Sequence, residues 1–226
     1  MTFYILSMLT LFSPIAFGVD GCNGLDNGKL CVQVVVHSNT EKAIQDIVVY
    51  IEPLDGQIVE QTSKEVMIDQ VGKSFSPYIS VSQINSKVIF ANQDDITHHI
   101  YSAGSENKFS FKIKAGKTNA ETQFTHASEV AMGCNIHDWM SGYLLVVNTP
   151  YFGKTDKEGK VNFAISEQGR YKIVLWHPQL QQEHNRMVDE QIINKSSALS
   201  YTLKNKLLKT PIQKSEDDFD FLSDYE

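Results

Sequence analysis

Gly133-Cys134-Asn135-Ile136-His137-Asp138-Trp139-Met140 is the stretch on which the reading of the fold turns. It lies between two apolar segments, 129–133 and 143–148. A thiol, an imidazole and a thioether recur at i, i+3 and i+6, and a tight loop between two strands can turn all three towards one point. Outward from this loop, short runs rich in Val, Ile, Tyr and Phe alternate with Gly, Asn, Asp, Ser and Lys. The candidate strands are 30–37, 46–52, 64–69, 78–82, 87–91, 98–102, 109–113, 129–133 and 143–148. Regular strands at this spacing, with turn residues between them and little helical periodicity, predict an all-β sandwich. Val88-Ile89-Phe90 and Leu144-Leu145-Val146-Val147 are apolar runs rather than alternations, as expected of buried sandwich strands.

Upstream, Asn92-Gln93-Asp94-Asp95-Ile96-Thr97-His98-His99 sets a histidine at the start of another strand. Two imidazoles, one thiolate and a weak thioether form the ligand set of blue-copper centres. Cu(I) favours soft sulfur, imidazole suits both oxidation states, and rigid flanking strands would hold the geometry as the charge changes. His37, His126, His177 and His184 have no ligand-like spacing and read as structural or exposed.

The chain has 226 residues, 42% hydrophobic, 10% aromatic and 21% charged, which excludes collagen-like, coiled-coil and wholly disordered classes. Its formal net charge of −7 argues against nucleic acid as a partner, because phosphate binding needs a basic face. The charge is uneven. Residues 215–226 hold six acids and no base, and residues 1–18 hold no charge, so 19–214 carries 21 acids against 20 bases.

Residues 1–18, apolar from Phe3 to Phe12 and ending Ala16-Phe17-Gly18, read as a secretory signal peptide cleaved after Gly18. The apolar run is short and holds Pro14, which disfavours a membrane anchor. In the oxidising compartment this implies, a Cys22–Cys31 disulfide would tie the N-terminus to the first strand. Cys22 follows no lipobox-like run and is not read as lipidated. Cys134 remains as the odd cysteine. Near Thr149-Pro150 a second unit begins, a small three- or four-stranded β module. It has a polar hairpin at Asp156-Lys157-Glu158-Gly159 and a second turn at Glu167-Gln168-Gly169. Beyond Leu203 the chain turns lysine-rich and then acidic, and 204–226 reads as a flexible tail.

These residues resemble cupredoxins of the plastocyanin/amicyanin type. Cys134-x-x-His137-x-x-Met140 matches the short ligand loop of amicyanin; plastocyanin's loop is two residues longer before its Met. Phe90-Ala91-Asn92-Gln93-Asp94 followed by His98 is similar to the segment that supplies the upstream ligand. From Met67-Ile68-Asp69-Gln70 through to Thr149-Pro150-Tyr151-Phe152, the chain resembles exported bacterial cupredoxin-domain proteins, often labelled methylamine utilization proteins. In these, a cupredoxin domain precedes a module resembling carboxypeptidase regulatory-like β-sandwiches. The resemblance covers residues 30–180 in outline.

It implies a cupredoxin-like Greek-key β-sandwich over 19–148, a small β-sandwich module over 149–203 and a disordered tail over 204–226. It also implies one copper per chain, held by His98, Cys134, His137 and Met140. His98 is preferred to His99 because such sites place the ligand where the aspartate-containing turn enters the strand. His99 stands where the family usually has Asn, which leaves the choice between the two open, and strand alternation lets only one face the site. Asp138 stands where amicyanin has a proline. By the same resemblance His137 is the electron port, and Ile136, Trp139 and Met132 form an apolar docking patch around it.

The resulting expectation is an exported type 1 copper protein, periplasmic or secreted, carrying one electron and not an enzyme. Its partners would be a cytochrome or a dehydrogenase in transient contact, with no nucleic acid and no stable membrane insertion. The alternatives are a copper-binding or delivery protein without a redox role, a mononuclear copper enzyme, and a structural interaction protein. A soft axial Met disfavours the enzyme.

Overall fold

The computed structural model describes residues 28–61 and 64–213. The expected signal peptide, Cys22 and the acidic segment 215–226 lie outside the described residues. Cys31 is disulfide-bonded and Cys134 is free. No helix of the described residues is long and apolar enough to cross a membrane.

The fold is all-β, four sheets deep. The candidate loop belongs to the sheet β5-β11-β10-β7-β8, built from β5 (Ile79–Gln83), β7 (His98–Ser102), β8 (Ser110–Ile113), β10 (Ser128–Cys134) and β11 (Ser141–Val147). Facing it is β4-β3-β6-β9, built from β3 (Val66–Gln70), β4 (Phe75–Ser76), β6 (Lys87–Asn92) and β9 (Thr118–Gln123). Between these two sheets lies a core that includes Ile68, Phe90, Ile100, Phe124, Val130, Leu144 and Val146. Two sheets close round it because side chains alternate along each strand: Val130, Met132 and Cys134 of β10 all point inwards.

The other two sheets are β12-β2-β14-β15 and β13-β1-β16. Their strands are β1 (Leu30–Ser38), β2 (Val48–Pro53), β12 (Phe152–Lys154), β13 (Lys160–Ile165), β14 (Gly169–Trp176), β15 (Arg186–Ile193) and β16 (Ser197–Leu203). Here the structure corrects the sequence reading. Residues 30–53, expected with the copper sandwich, pair instead with the C-terminal strands: β1 with β13 and β16, β2 with β12 and β14. Without β1 and β2 the C-terminal strands would leave the inner faces of Val161, Phe163, Ile173 and Leu175 without a partner layer; with them, Val32, Val34, Val49 and Ile51 fill that core. The polar turn at Asp156–Gly159 forms as expected, with Asp156 Oδ1 accepting from the N–H groups of Glu158 and Lys160. The strands flanking it part, however, β12 to β2 and β13 to β1.

The two sandwiches pack back to back through Val48, Tyr50, Ile79, Val81, Leu145, Val147, Val174 and Trp176. Leu144 and Val146 therefore face one core, Leu145 and Val147 the other. This accounts for the unbroken apolar run in β11. Burying each such aliphatic side chain contributes about 1.5–3 kcal/mol, so the joint is a substantial part of the stability. The Trp176 Nε1–H donates to Glu129 Oε2 at 3.0 Å across it.

The tail also differs from expectation. Residues 204–213 are held down. Asn39 Nδ2 donates to the Lys204 carbonyl, Gln181 Nε2 to that of Lys206 at 2.7 Å, and the Leu208 N–H to that of Gln179 at 3.0 Å. Leu207 packs against the C-terminal core.

Candidate metal centre

Three of the four expected ligands converge at one end of the first sandwich. Cys134, the last residue of β10, is followed by the loop 135–140, and His98 opens the neighbouring strand β7. Cys134 Sγ lies 3.7 Å from His98 Nδ1 and 3.7 Å from His137 Nδ1. One ligand atom from each of the three residues lies within 4.8 Å of the others. Two bonds of about 2.0–2.3 Å, the usual lengths for imidazole and thiolate on a first-row metal, span roughly 3.7 Å when opened to a trigonal angle. The donor set and its spacing therefore fit one soft metal ion. Met140 is 1% exposed and packs in the same core as Cys134.

Burial is high throughout: His98 is 0%, Cys134 4% and His137 8% exposed. The rings of His98 and His137 are 5.0 Å apart, and Trp139 stands 5.2 Å from His137 on its other side. Burial pushes the His137 imidazole below its ordinary value, and the nearby His98 and Lys73 push the same way, partly offset by Asp94. A neutral imidazole with a free lone pair is the form that binds a metal.

The choice between the adjacent histidines follows from the pleat. His98 points in. Its Nε2 meets Asp94 Oδ2 at 2.8 Å, which leaves Nδ1 facing Cys134 Sγ. Burial raises the Asp94 carboxyl, but the N–H of Lys73, the His98 ring and the N–H of Gly72 together hold it below its ordinary value. His99 points to the opposite face, where Nε2 meets Ser110 Oγ at 2.8 Å and Nδ1 meets Asn135 Nδ2 at 2.9 Å. The Asn135 N–H also donates to the His99 carbonyl. His99 thus ties the start of the loop to the strand that carries His98. Of the expected apolar patch, Ile136 is 53% exposed and Trp139 is half-buried, whereas Met132 is 3% exposed and belongs to the core. Met132 shares the inward face with Cys134, two residues on, so alternation alone keeps it from the surface.

No protein-family model matches the chain, and no curated protein sequence matches it. Among solved structures it is similar to a copper-containing nitrite reductase from Thermus scotoductus, at 22% identity and a TM-score of 0.35, over 42% of this chain and 25% of that one. It is similar to a purple cupredoxin from Nitrosopumilus maritimus, at 19% identity and a TM-score of 0.33, over 36% of this chain and 99% of that one. It is also similar to a variant of amicyanin in the Cu(I) form, at 14% identity and a TM-score of 0.35, over 39% of this chain and 87% of that one.

Proposed function

We propose that the chain is an exported type 1 copper protein that carries one electron between protein partners. One copper would be held by His98 Nδ1, Cys134 Sγ and His137 Nδ1, with the Met140 thioether as a fourth, weaker ligand. The observation that carries this reading is the meeting of one thiol sulfur with two imidazole nitrogens at 3.7 Å each. Bound copper would supply exchange between Cu(I) and Cu(II).

The residues' part is to hold that chemistry still. Asp94 fixes the His98 ring, so the same nitrogen faces the site whatever the charge there. The strands β7 and β10 carry His98 and Cys134 on a rigid sheet, so little has to move when an electron arrives or leaves. The near-complete burial of all four side chains excludes water and leaves no open position for a substrate, which favours a carrier over an enzyme. His137, beside the exposed Ile136, would be the point of closest approach for a cytochrome or dehydrogenase in brief contact.

The reading is tested by adding Cu(II) to the mature protein and recording its visible spectrum and electrode response. An intense thiolate-to-copper band, lost in Cys134→Ser, with reversible reduction, is expected. A colourless protein, or the same band in Cys134→Ser, would overturn it.

A further inference from the structure

The loop 135–140 and the residue that follows it are held at three backbone amides. The Asn135 N–H donates to the His99 carbonyl at its start, and the Met140 N–H to the His137 carbonyl within it. The third hold, at the residue that follows the loop, comes from Gln213, in the strap beyond β16. The Ser141 N–H donates to Gln213 Oε1 at 3.1 Å, and Gln213 Nε2 returns a bond to Ser141 Oγ at 3.1 Å. Ser141 lies opposite Gly133 in the β10–β11 ladder, and Tyr143, two residues on, donates to the Tyr78 carbonyl. The Ser141 N–H points to that same edge, ahead of the start of β5, and Gln213 fills the place of the missing strand.

Gln213 makes a second tie. The Ser74 Oγ–H donates to its carbonyl at 2.9 Å. Ser74 closes the turn Val71–Ser74, in which Gly72 and Lys73 give their N–H groups to Asp94, the partner of His98. One residue at the end of the strap 204–213 thus bridges the two scaffolds of the site: the turn that sets His98 through Asp94, and the residue that follows Met140. The strap itself is fixed to the C-terminal sandwich through Lys204, Lys206, Leu207 and Leu208.

We propose that Gln213 is a positioning residue for the metal site, through which the C-terminal sandwich holds the ligand loop in its binding geometry. This deepens the copper reading and rests on it for the identity of the metal, but the hold itself exists in the metal-free protein. That separates the two tests.

In the metal-free full chain, Gln213→Ala is expected to raise amide exchange at Ser141 and alkylation of Cys134 about tenfold, the loss that follows from removing the side-chain hydrogen bonds. Gln213→Glu, whose carboxylate still accepts from the Ser141 N–H and hydroxyl, is expected to stay within about twofold of the parent. A chain ending at Lys214 keeps the clamp and is expected to match the parent, since it loses only the acidic segment. With copper bound, Gln213→Ala should shift the ratio of the thiolate-to-copper bands, and Gln213→Glu should restore it. Unchanged Ser141 exchange and Cys134 alkylation in Gln213→Ala would overturn the proposal, even beside a normal copper band. A tenfold rise in a protein that takes up no copper would uphold the clamp and sink the copper reading alone.

Discussion

The Asp94 carboxylate lies 2.8 Å from His98 Nε2 and takes N–H bonds from Gly72 and Lys73, so one acidic side chain sets the ring that faces Cys134. Removing such a partner of a metal-bound histidine typically costs 10- to 100-fold in metal affinity. Asp94→Ala should therefore weaken Cu(I) binding by about that factor, and Asp94→Asn, which can still accept from Nε2–H, by less. Competition with a Cu(I) chelator measures it, and an unchanged affinity in Asp94→Ala would show that His98 is held by its strand alone.

His98 and His99 adjoin in sequence but face opposite sides of β7, one towards Cys134 and the other towards Ser110 and Asn135. His98→Ala should abolish the thiolate-to-copper band. His99→Ala should keep the band and lose about 1–3 kcal/mol of stability, because the ties to Ser110 and Asn135 go. Spectra and denaturant titrations of the two variants decide the matter; the reverse pattern would reassign the ligand.

His177 provides a pH dependence away from the metal site. Burial pushes its imidazole down to about 4, with Asp46 pulling weakly the other way. The folded protein thus keeps it neutral, its Nδ1 accepting from the Gln179 N–H, while the unfolded chain takes up a proton below about 6.5. Its contribution is present above about 6.5 and is lost as pH falls through the window down to about 4, on the order of 2–3 kcal/mol. His177→Asn keeps an acceptor but cannot titrate. Unfolding free energies at pH 7 and 4.5 should fall by about 2 kcal/mol more in the parent than in this variant; equal falls would refute the assignment.

Gly159 closes the turn after Asp156 at φ +73°, and a Cβ there would run into the Val36 carbonyl and crowd the Ile44 N–H. The obstacle is backbone, which cannot swing aside. Gly159→Ala should destabilise by about 2–4 kcal/mol through strain and the broken Val36 N–H to Gly159 carbonyl bond. Thermal unfolding measures this, and a loss below about 0.5 kcal/mol would mean that the turn relaxes freely.

What the sequence made legible was local. Cys134, His137 and Met140 fall within seven residues, so their spacing could be read directly, and the strand starts at Leu30, Lys87 and His98 follow from apolar patterning. What escaped was long in range. The pairing of Cys31 with Ala164, or of Tyr50 with Phe152, depends on which sheet needs an edge filled, and β2 looks the same in either sandwich. The strap escaped because lysine-rich composition suggests solvation, whereas its hold comes from single hydrogen bonds to Gln179, Gln181 and Ser141. Met132 was legible but misread: its i, i+2 relation to Cys134 already sets it on the buried face.

In the proposed site, Cys134 and two imidazoles would hold one copper. X-ray absorption of the copper-loaded protein tests this most directly, because it counts the atoms around the metal by element and distance. One short copper–sulfur bond and two imidazole nitrogens per copper are expected, with the short sulfur absent in Cys134→Ser. A shell of nitrogen and oxygen alone in the parent protein would contradict it.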